Sequence, residues 1–565
     1  MKNFTKINEH LTNYNGVIKK LLFIVALCSV LSLNAQFRLV KDIRPGTASS
    51  LVGEMYESNG RLFFSAFTNS AHPLAQRSIY ASDGTDAGTV NITVDYISPL
   101  LNDLAHNPDD NIVFFTVDSD LYFEVKNIST NERTLQKLSI GSIMSSTEYS
   151  ISYATAINNF DARFTQPIYV NDKIIFNPLD ATSSVGVEPH VFDILNPANS
   201  GLFLDIYSGP PSSTPSGFTL FNGEYYFGAT DGVSHGREIW KTDGTAAGTV
   251  FYLDVISGVG FGNPDQLNVV GSNLTFVSDH DTVGRELFKT NGSGNLGLIR
   301  NIHPTGDSNP LNVTKIANTL YFSVDNGSVG RELWKSNGNT SLGTVLLKDI
   351  NPSGDSNPSK FIQVGSNIFF IADDGVNGIE LWKTDGSSAG TVLVKDINLS
   401  GSSLPDYFTE YNGRLYFTAN DGINGTELWV SDGTSAGTSM IELNPNGDAS
   451  VSNVILFNNE LYFTADDSVS AKGNELWAYQ DPSLQVEDLN LLGTSIALFP
   501  NPINAYFEIE SKDPLEKVEI YSLQGQSIKS FTPQSQYDIS ELSSGVYFVK
   551  IQANNNEVTK RIIKQ

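Results

Sequence analysis

The chain has almost no cysteine. Of its 565 residues only Cys28 is one, and it falls in a leader that is expected to be cut away, so no disulfide is available to the mature fold. Histidine is scarce as well. There are seven, none clustered, which argues against a zinc enzyme. Cationic side chains are outnumbered, with 35 Lys and Arg against 62 Asp and Glu. A surface this acidic repels phosphate, so nucleic acid is not an expected partner. Divalent cations or cationic partners are favoured, although plain solubility also explains the charge. Helix formers are few, and beyond the leader no run is long and apolar enough to span a bilayer.

What is present points to strands. The chain is 40% hydrophobic and 11% aromatic with 47 Gly, and Thr, Val, Ile, Tyr and Phe are plentiful. Its length calls for two or more units. Residues 1–35 read as a signal peptide: Lys19 and Lys20, then the apolar LLFIVALCSVLSLNA, with cleavage after Ala35. A true start near Val17 would shorten the charged region. A lipidated Cys28 is disfavoured by the large Leu27 before it and the apolar sequence after it. The leader holds four Lys and one Glu, which leaves the remaining chain at −30.

One stretch recurs: REIWKTDGTAAGTV at 237–250, RELWKSNGNTSLGTV at 331–345, IELWKTDGSSAGTV at 379–392 and TELWVSDGTSAGTS at 426–439. Its Glu falls at 238, 286, 332, 380, 427 and 475, in steps of 46 to 48. Such a period is the mark of propellers and solenoids. Weaker copies are expected at 77–90, with Ser78 in the Glu slot, at 120–125 (DLYFEV) and at 188–194 (EPHVFDI). Each unit reads as four short strands, opening with a stretch such as VLVKDI and followed by the equivalents of FIQVGS, NIFFIADD and IELWKTDG. Four antiparallel strands per unit describe a propeller blade, and no helical periodicity supports a solenoid of strands and helices. All five Trp, at 240, 334, 382, 429 and 477, share one slot, with Phe288 in the remaining unit. That suits packing between blades. Asp243-Gly244-Thr245 and its copies suit a turn. Six equivalent copies also argue against a catalytic centre, which needs an asymmetric set of groups.

Two loop families carry the candidate chemistry. The loop before each Glu reads TDGVSHGRE, SDHDTVGRE, VDNGSVGRE or ADDGVNGIE. Asp231, Asp279, Asp325 and Asp373 sit seven residues before it, with Asn420 in the next unit. Closely spaced oxygens with glycines are what calcium wants, but the spacing is not that of a helix–loop–helix site, and Asp-Gly is also a default hairpin turn. The second family, KDIRPGTASS, NIHPTGDSNP, KDINPSGDSNP and ELNPNGDAS, would line up on one face and suit a glycan, a partner or a mere connection. Residues 131–187 depart from the period and read as an insertion with Tyr149, Tyr153 and Phe160, the place to seek a unique site.

From Asp481 the repeat stops. DPSLQVEDLNLLGTS reads as a linker, and short strands with turns at Gln524-Gly525 and Ser544-Gly545 follow, as in a small β-sandwich. Residues 496–565 carry eight acids against seven bases, so the acidity lies in the repeats. Phe499-Pro500-Asn501-Pro502, the Ile-Tyr-Ser-Leu-Gln-Gly run at 520–525, Leu542, Gly545-Val546-Tyr547 and the basic tail Lys560-Arg561-Ile562-Ile563-Lys564 carry a resemblance over 498–565. The segment resembles the type A C-terminal sorting domain of the Bacteroidetes type IX secretion system. Phe499 stands where that family often has Tyr. The resemblance implies export through the inner membrane, recognition by the type IX machinery at the outer membrane, removal of the domain, and release or anchoring at the surface. The repeats in turn resemble the ELWxxDGT repeat family of secreted bacterial proteins, clearly over 217–480 and weakly over 38–216. That implies a propeller and no settled activity.

The expected fold is therefore all-β: an eight- or nine-bladed propeller over residues 36–480, a linker at 481–496 and a sorting sandwich over 497–565. One diverged pair within 91–200 would form a single distorted blade in the eight-bladed case. The expected role is surface or extracellular binding of a glycan or protein, with calcium as an option. The alternatives are a polysaccharide-degrading enzyme, which needs a unique carboxylate pair, and a purely structural surface protein. Fold alone does not choose among them.

Overall fold

Strands rich in β-branched and aromatic residues alternate here with turns of Asn, Asp and Gly, and each group of four folds into one antiparallel sheet. The computed structural model describes residues 37–67, 77–92, 113–126, 133–139, 149–152, 165–177, 185–467, 472–481, 496–499, 503–511, 514–522, 526–543, 545–553 and 556–564. The expected leader with Cys28, residues 482–495 of the expected linker at 481–496, and Tyr153 and Phe160 lie outside them. Residues 37–478 form one unit and the C-terminal residues from 479 onward belong to another.

Among the described residues the first unit holds nine four-stranded sheets. Sheets 1 to 8 span 56–91, 114–152, 165–202, 216–253, 265–300, 311–348, 359–395 and 406–441. Sheet 9 takes three strands from 452–479 and its fourth from Phe37–Lys41, which pairs with Glu475–Tyr479. This arrangement of successive four-stranded sheets is propeller-like. It corrects the expected phase of the repeat. Val392–Lys395 pairs back onto Ile379–Thr384 and closes its own sheet rather than opening the next. The first such strand in the chain, Phe37–Lys41, then has no preceding partner and completes the last sheet.

Two further expectations change. DLYFEV is not a copy of the Glu strand; it is the second strand of sheet 2, flanked by Phe114–Val117 and Arg133–Ser139. Residues 131–187 are not one insertion. They supply the third and fourth strands of sheet 2 and the first two of sheet 3. The span 91–200 thus holds two separate sheets.

The sheets are buttressed by apolar side chains. In sheet 7 Leu381 joins a cluster with Leu415, Phe417 and Trp429 of sheet 8, whereas Trp382 joins Leu333, Leu347 and Ile350 on the side of sheet 6. Adjacent residues of one strand point to opposite faces, so ELW supplies both interfaces. First strands lie beside first strands around the series, from 165–170 to 452–457. Each carries a β-bulge in sheets 3 to 9, and bulge residues reach to the next sheet. Gln266 Nε2 donates to Pro310 O at 2.9 Å, and Lys360 pairs with Asp406 at 2.7 Å. Asn453 Nδ2, in sheet 9, donates to Val52 O at 3.0 Å, just ahead of sheet 1. Val40, Leu62, Phe64, Tyr462 and Leu476 share one core that joins sheets 9 and 1.

The C-terminal unit is two sheets. One pairs Ile496–Phe499, Tyr506–Ser511 and Tyr537–Asp538; the other pairs Ser527–Phe531, Leu515–Tyr521, Gly545–Ala553 and Asn556–Lys564. Phe507 and Tyr537 from the first meet Val518, Ile520, Val549 and Ile551 from the second in one core.

Strand Phe37–Lys41 is a non-local closure, so breaking it should open the series. Val40 is fully buried, and an aspartate there would be an unpaired charge in an apolar core. Val40→Asp is expected to cost on the order of 3–5 kcal/mol, read as a lower urea midpoint for the mature chain. An unchanged midpoint would refute the closure.

Candidate functional site: the loop rim

Because the strands of each sheet alternate in direction, two kinds of loop emerge at the same end. One joins the second strand to the third (the inner loop of a sheet), and the other joins the fourth strand to the next sheet (the linking loop). The hairpin between strands one and two and the DGT turn between three and four lie at the opposite end. Both loop families singled out from the sequence therefore share one rim.

The repeated Glu is the organising side chain of that rim. Glu188, Glu238, Glu286, Glu332, Glu380, Glu427 and Glu475 are all 0% exposed. Each faces the linking loop that leaves its own sheet. Glu380 accepts the N–H of Ile397 at 3.0 Å, of Asn398 at 3.3 Å and of Ser403 at 2.9 Å, and the Ser403 hydroxyl at 2.5 Å. Glu332 does the same with Ile350, Asn351 and Ser356. Glu475 accepts from Ile43 and Ser50, across the closure of sheet 9. Sequence reasoning used this Glu only as a ruler and gave it no role. The signal was available in the serine that recurs 22 to 25 residues after it.

The linking loop returns the favour. Asp355 Oδ1 accepts the Arg331 N–H at 2.8 Å, Asp307 that of Arg285 at 2.9 Å and Asp448 that of Thr426 at 2.8 Å. In the GDS of 306–308 and 354–356 the Asp thus caps the start of the third strand while the Ser feeds the Glu, and in the GDA of 447–449 the Ala449 N–H does so alone.

The four Asp residues put forward as calcium ligands are distributed one per inner loop. Asp231 Oδ1 accepts the N–H groups of Val233, Ser234 and His235, and its Oδ2 pairs with His235 Nδ1 at 2.9 Å. Asp279 pairs with Arg285 at 2.9 Å and accepts from Asn263. Asp325 and Asp373 each accept one glycine N–H at 2.7 Å, as Asn420 does in sheet 8. An asparagine suffices for that role. Among the described residues no three His, Cys, Asp or Glu side chains are grouped so as to hold a metal.

Glycines let the two loop families interlock. Gly375, with φ +77°, lies against the preceding linking loop, where a Cβ would fall 2.7 Å from Asn351 Oδ1. Gly378, with φ +78°, lies against the following one, 2.8 Å from Ser402 Oγ. Gly422 and Gly425 repeat this against Asn398 and Asp448. A side chain would therefore separate loops that now form one continuous rim, a role that the hairpin-turn reading did not include.

At the opposite end the DGT turn bonds within itself and to the preceding sheet: Asn171 Nδ2 donates to Asp243 O at 2.7 Å, and Lys335 Nζ donates to Gly386 O at 2.6 Å. Asp243 Oδ1 accepts the backbone N–H and the hydroxyl of Thr245, and the Thr242 and Thr249 hydroxyls bond at 2.7 Å. Asp385 and Asp432 repeat it.

Of the sorting residues, Pro500, Asn501, Pro502 and Gly525 lie outside the described ones. Gly545 begins a nine-residue strand, and Lys560, Arg561 and Lys564 lie on its partner, Asn556–Lys564. Residues 497–565 match the family model described as a secretion system C-terminal sorting domain. This is a type IX sorting domain, and it marks the chain for secretion or outer-surface attachment. No curated protein matches the chain. Among solved structures it is similar to a puromycin-hydrolysing peptidase of Mycobacterium tuberculosis, at 10% identity and TM-score 0.34, covering 65% of this chain and 57% of that one. A structure from an analysis of two prolyl endopeptidases matches at 10% and 0.35, covering 90% and 55%. The β-propeller domain of the trilobed protease from Pyrococcus furiosus matches at 10% and 0.31, covering 59% and 98%. The chain spans less than two thirds of the first two structures. No helix among the described residues is long and apolar enough to cross a membrane.

Removing a caged carboxylate strands its donors. Glu380→Ala takes the acceptor from the Ile397 and Asn398 N–H groups and from the Ser403 hydroxyl, while the Ser403 N–H keeps Ile379 O. It is expected to cost about 3–5 kcal/mol, measured by denaturant unfolding. An effect below about 1 kcal/mol would be that of a surface substitution.

The cages also set a pH dependence. Burial pushes Glu238, Glu427 and Glu475 up to about 7, against the downward pull of their N–H donors. Such a group holds its proton when folded over a window where the unfolded chain, titrating at 4.5, has released it. The stability it confers is complete below that value and lost as pH rises through about 7. Burial also raises Asp231, but its N–H and His235 partners outweigh that and hold it at about 2, so its contribution is lost only in strong acid. The melting temperature of the mature chain is therefore expected to fall between pH 5 and pH 8. A rise over that interval would contradict the cages.

Proposed function

We propose that this chain is an exported nine-bladed propeller of the ELWxxDGT kind that acts, after type IX secretion and removal of its sorting domain, as an extracellular binding protein. Nine successive four-stranded sheets and the return of Phe37–Lys41 to the last of them support the blade number. The observation that carries the binding reading is the inward turn of the repeated acids. Each repeated Glu is spent on its own linking loop, and Asp231, Asp279, Asp325 and Asp373 have hydrogen-bond donors of their own, so neither of these two families supplies a free carboxylate pair for hydrolysis. What the rim offers instead is a broad, repeated surface, the usual equipment of a binding propeller. The ligand class in this reading is a glycan or a protein.

Calcium is not required in this proposal, because the candidate ligands already have donors. A hydrolytic reading would turn to the His235–Asp231 pair, whose ring also stacks on Phe251 at 3.7 Å, and it would need a nucleophile or activated water beside it.

The deciding experiment exposes the mature chain to immobilised polysaccharides and extracellular proteins, with calcium and with chelator, while released sugars and peptides are followed. Binding without release, equal in both media, is the expected result. Released product that disappears in His235→Ala would replace this reading with an enzyme. Calcium at a hundred times its dissociation constant would stabilise the fold by about 2.7 kcal/mol if bound, and no such shift is expected.

A further inference from the structure

Beyond the repeated Glu and inner-loop Asp residues that hold the rim together, several of its loop tips carry exposed aliphatic side chains. In the inner loops of sheets 7 and 8, Val376 and Ile423 occupy one repeated position and are 86% and 85% exposed. In the linking loop between those sheets Leu399 is 86% exposed. Pro352 and Pro445 hold the matching position in the flanking linking loops and are exposed too. Inner and linking loops alternate and touch through Gly375, Gly378, Gly422 and Gly425. The tips therefore follow one another along the rim as Pro352, Val376, Leu399, Ile423 and Pro445. A β-branched or leucine side chain left this far in water, at equivalent places in successive repeats, contributes nothing to the fold, and exposed apolar groups in series mark contact surfaces.

The charge around these tips is of one sign. The five loops 349–358, 373–378, 396–405, 420–425 and 442–451 contain eight Asp and Glu and no Lys or Arg. We propose, building on the binding reading above, that this arc of the rim docks a protein whose apolar contact patch is ringed by Lys and Arg. Complementary charge would steer the encounter and the aliphatic tips would supply the buried contact. The same charge disfavours two other occupants. A second copy would set two acidic arcs face to face, and an anionic lipid surface would repel the arc. A glycan is disfavoured by the absence of any aromatic residue in the five loops, since sugar rings are gripped largely by stacking on aromatic faces.

The test uses the mature chain and three synthetic probes: a Leu–Lys amphipathic peptide, a Leu–Glu counterpart and polylysine of equal charge. The Leu–Lys peptide is expected to bind at least ~10-fold more tightly than polylysine, with no binding of the Leu–Glu peptide. The triple variant V376S/L399S/I423S should lose at least ~10-fold of that affinity. Leu342→Ser should change nothing, because Leu342 is 93% exposed at the opposite end. All three tips are exposed, so unchanged melting temperature confirms that the variant is folded. Equal binding by wild type and the triple variant would overturn the assignment of the arc, as would polylysine binding as tightly as the peptide. If the triple variant instead loses affinity for a polysaccharide, the arc is a carbohydrate site and the protein partner is wrong. A triple variant that keeps every interaction found in the panel above would refute this arc while leaving the binding reading intact. A wild type that binds nothing in either experiment would sink both.

Discussion

A carboxylate withdrawn wholly from water must find donors or give up its charge, and in this protein that requirement is met the same way seven times. Each buried Glu collects backbone N–H groups from the loop that leads to the next sheet. The clamp fixes the path by which the chain passes from the outermost strand of one sheet to the first strand of the next. Orphaned N–H groups would be costly in that crossing, because clamped residues such as Ile350, Ile397 and Ser403 are buried although the loop tips are not. The Trp two residues on closes the other side of the same joint, since it packs on the preceding sheet and on the Ile beside that sheet's clamp. Local strand pairing, loop path and inter-sheet packing thus meet in the three letters ELW.

The closure of the series depends on the same joint. Glu475 clamps Ile43 and Ser50, which lie more than 400 residues earlier in the chain. The last sheet is therefore finished by the first strand and held by a loop from the far end of the sequence. A contact of that length is entropically expensive to form. It rests on the apolar core shared by Val40, Phe64, Tyr462 and Leu476 and on the Arg38–Glu460 pair.

Function follows from what the clamp leaves over. A residue repeated in every unit looks like a site, and Glu and Asp at one end of a ring look like a metal or acid–base array. The hydrogen bonds of the repeated Glu and of Asp231, Asp279, Asp325 and Asp373 bind those residues to the fold instead. The features with no structural employment are smaller and less conspicuous: an aliphatic tip on each of several successive loops, set among acids. That division between spent and unspent side chains is what makes binding a better reading of this rim than catalysis.

The repeat, its four strands, the Trp slot and the sorting domain were legible in residues alone, because period, alternation and turn chemistry are local and are written many times over. The phase of the repeat was not. VLVK stands next in sequence to the linking loop and equally well begins or ends a unit, and only its pairing with Ile379–Thr384 decides. The diverged stretch 91–200 hid two sheets because a strand can keep its hydrogen bonds after losing every recognisable side chain. Nor could the candidate calcium residues be judged, since Asp at a turn and Asp at a metal differ only in which atoms approach the oxygens. Sequence by itself determined that this is an acidic, all-β repeat protein with a sorting domain that marks it for secretion or outer-surface attachment. Tertiary structure decided which strand closes the series, why the Glu recurs and which side chains remain free. Those are matters of proximity between residues far apart in the chain, and no local pattern encodes them.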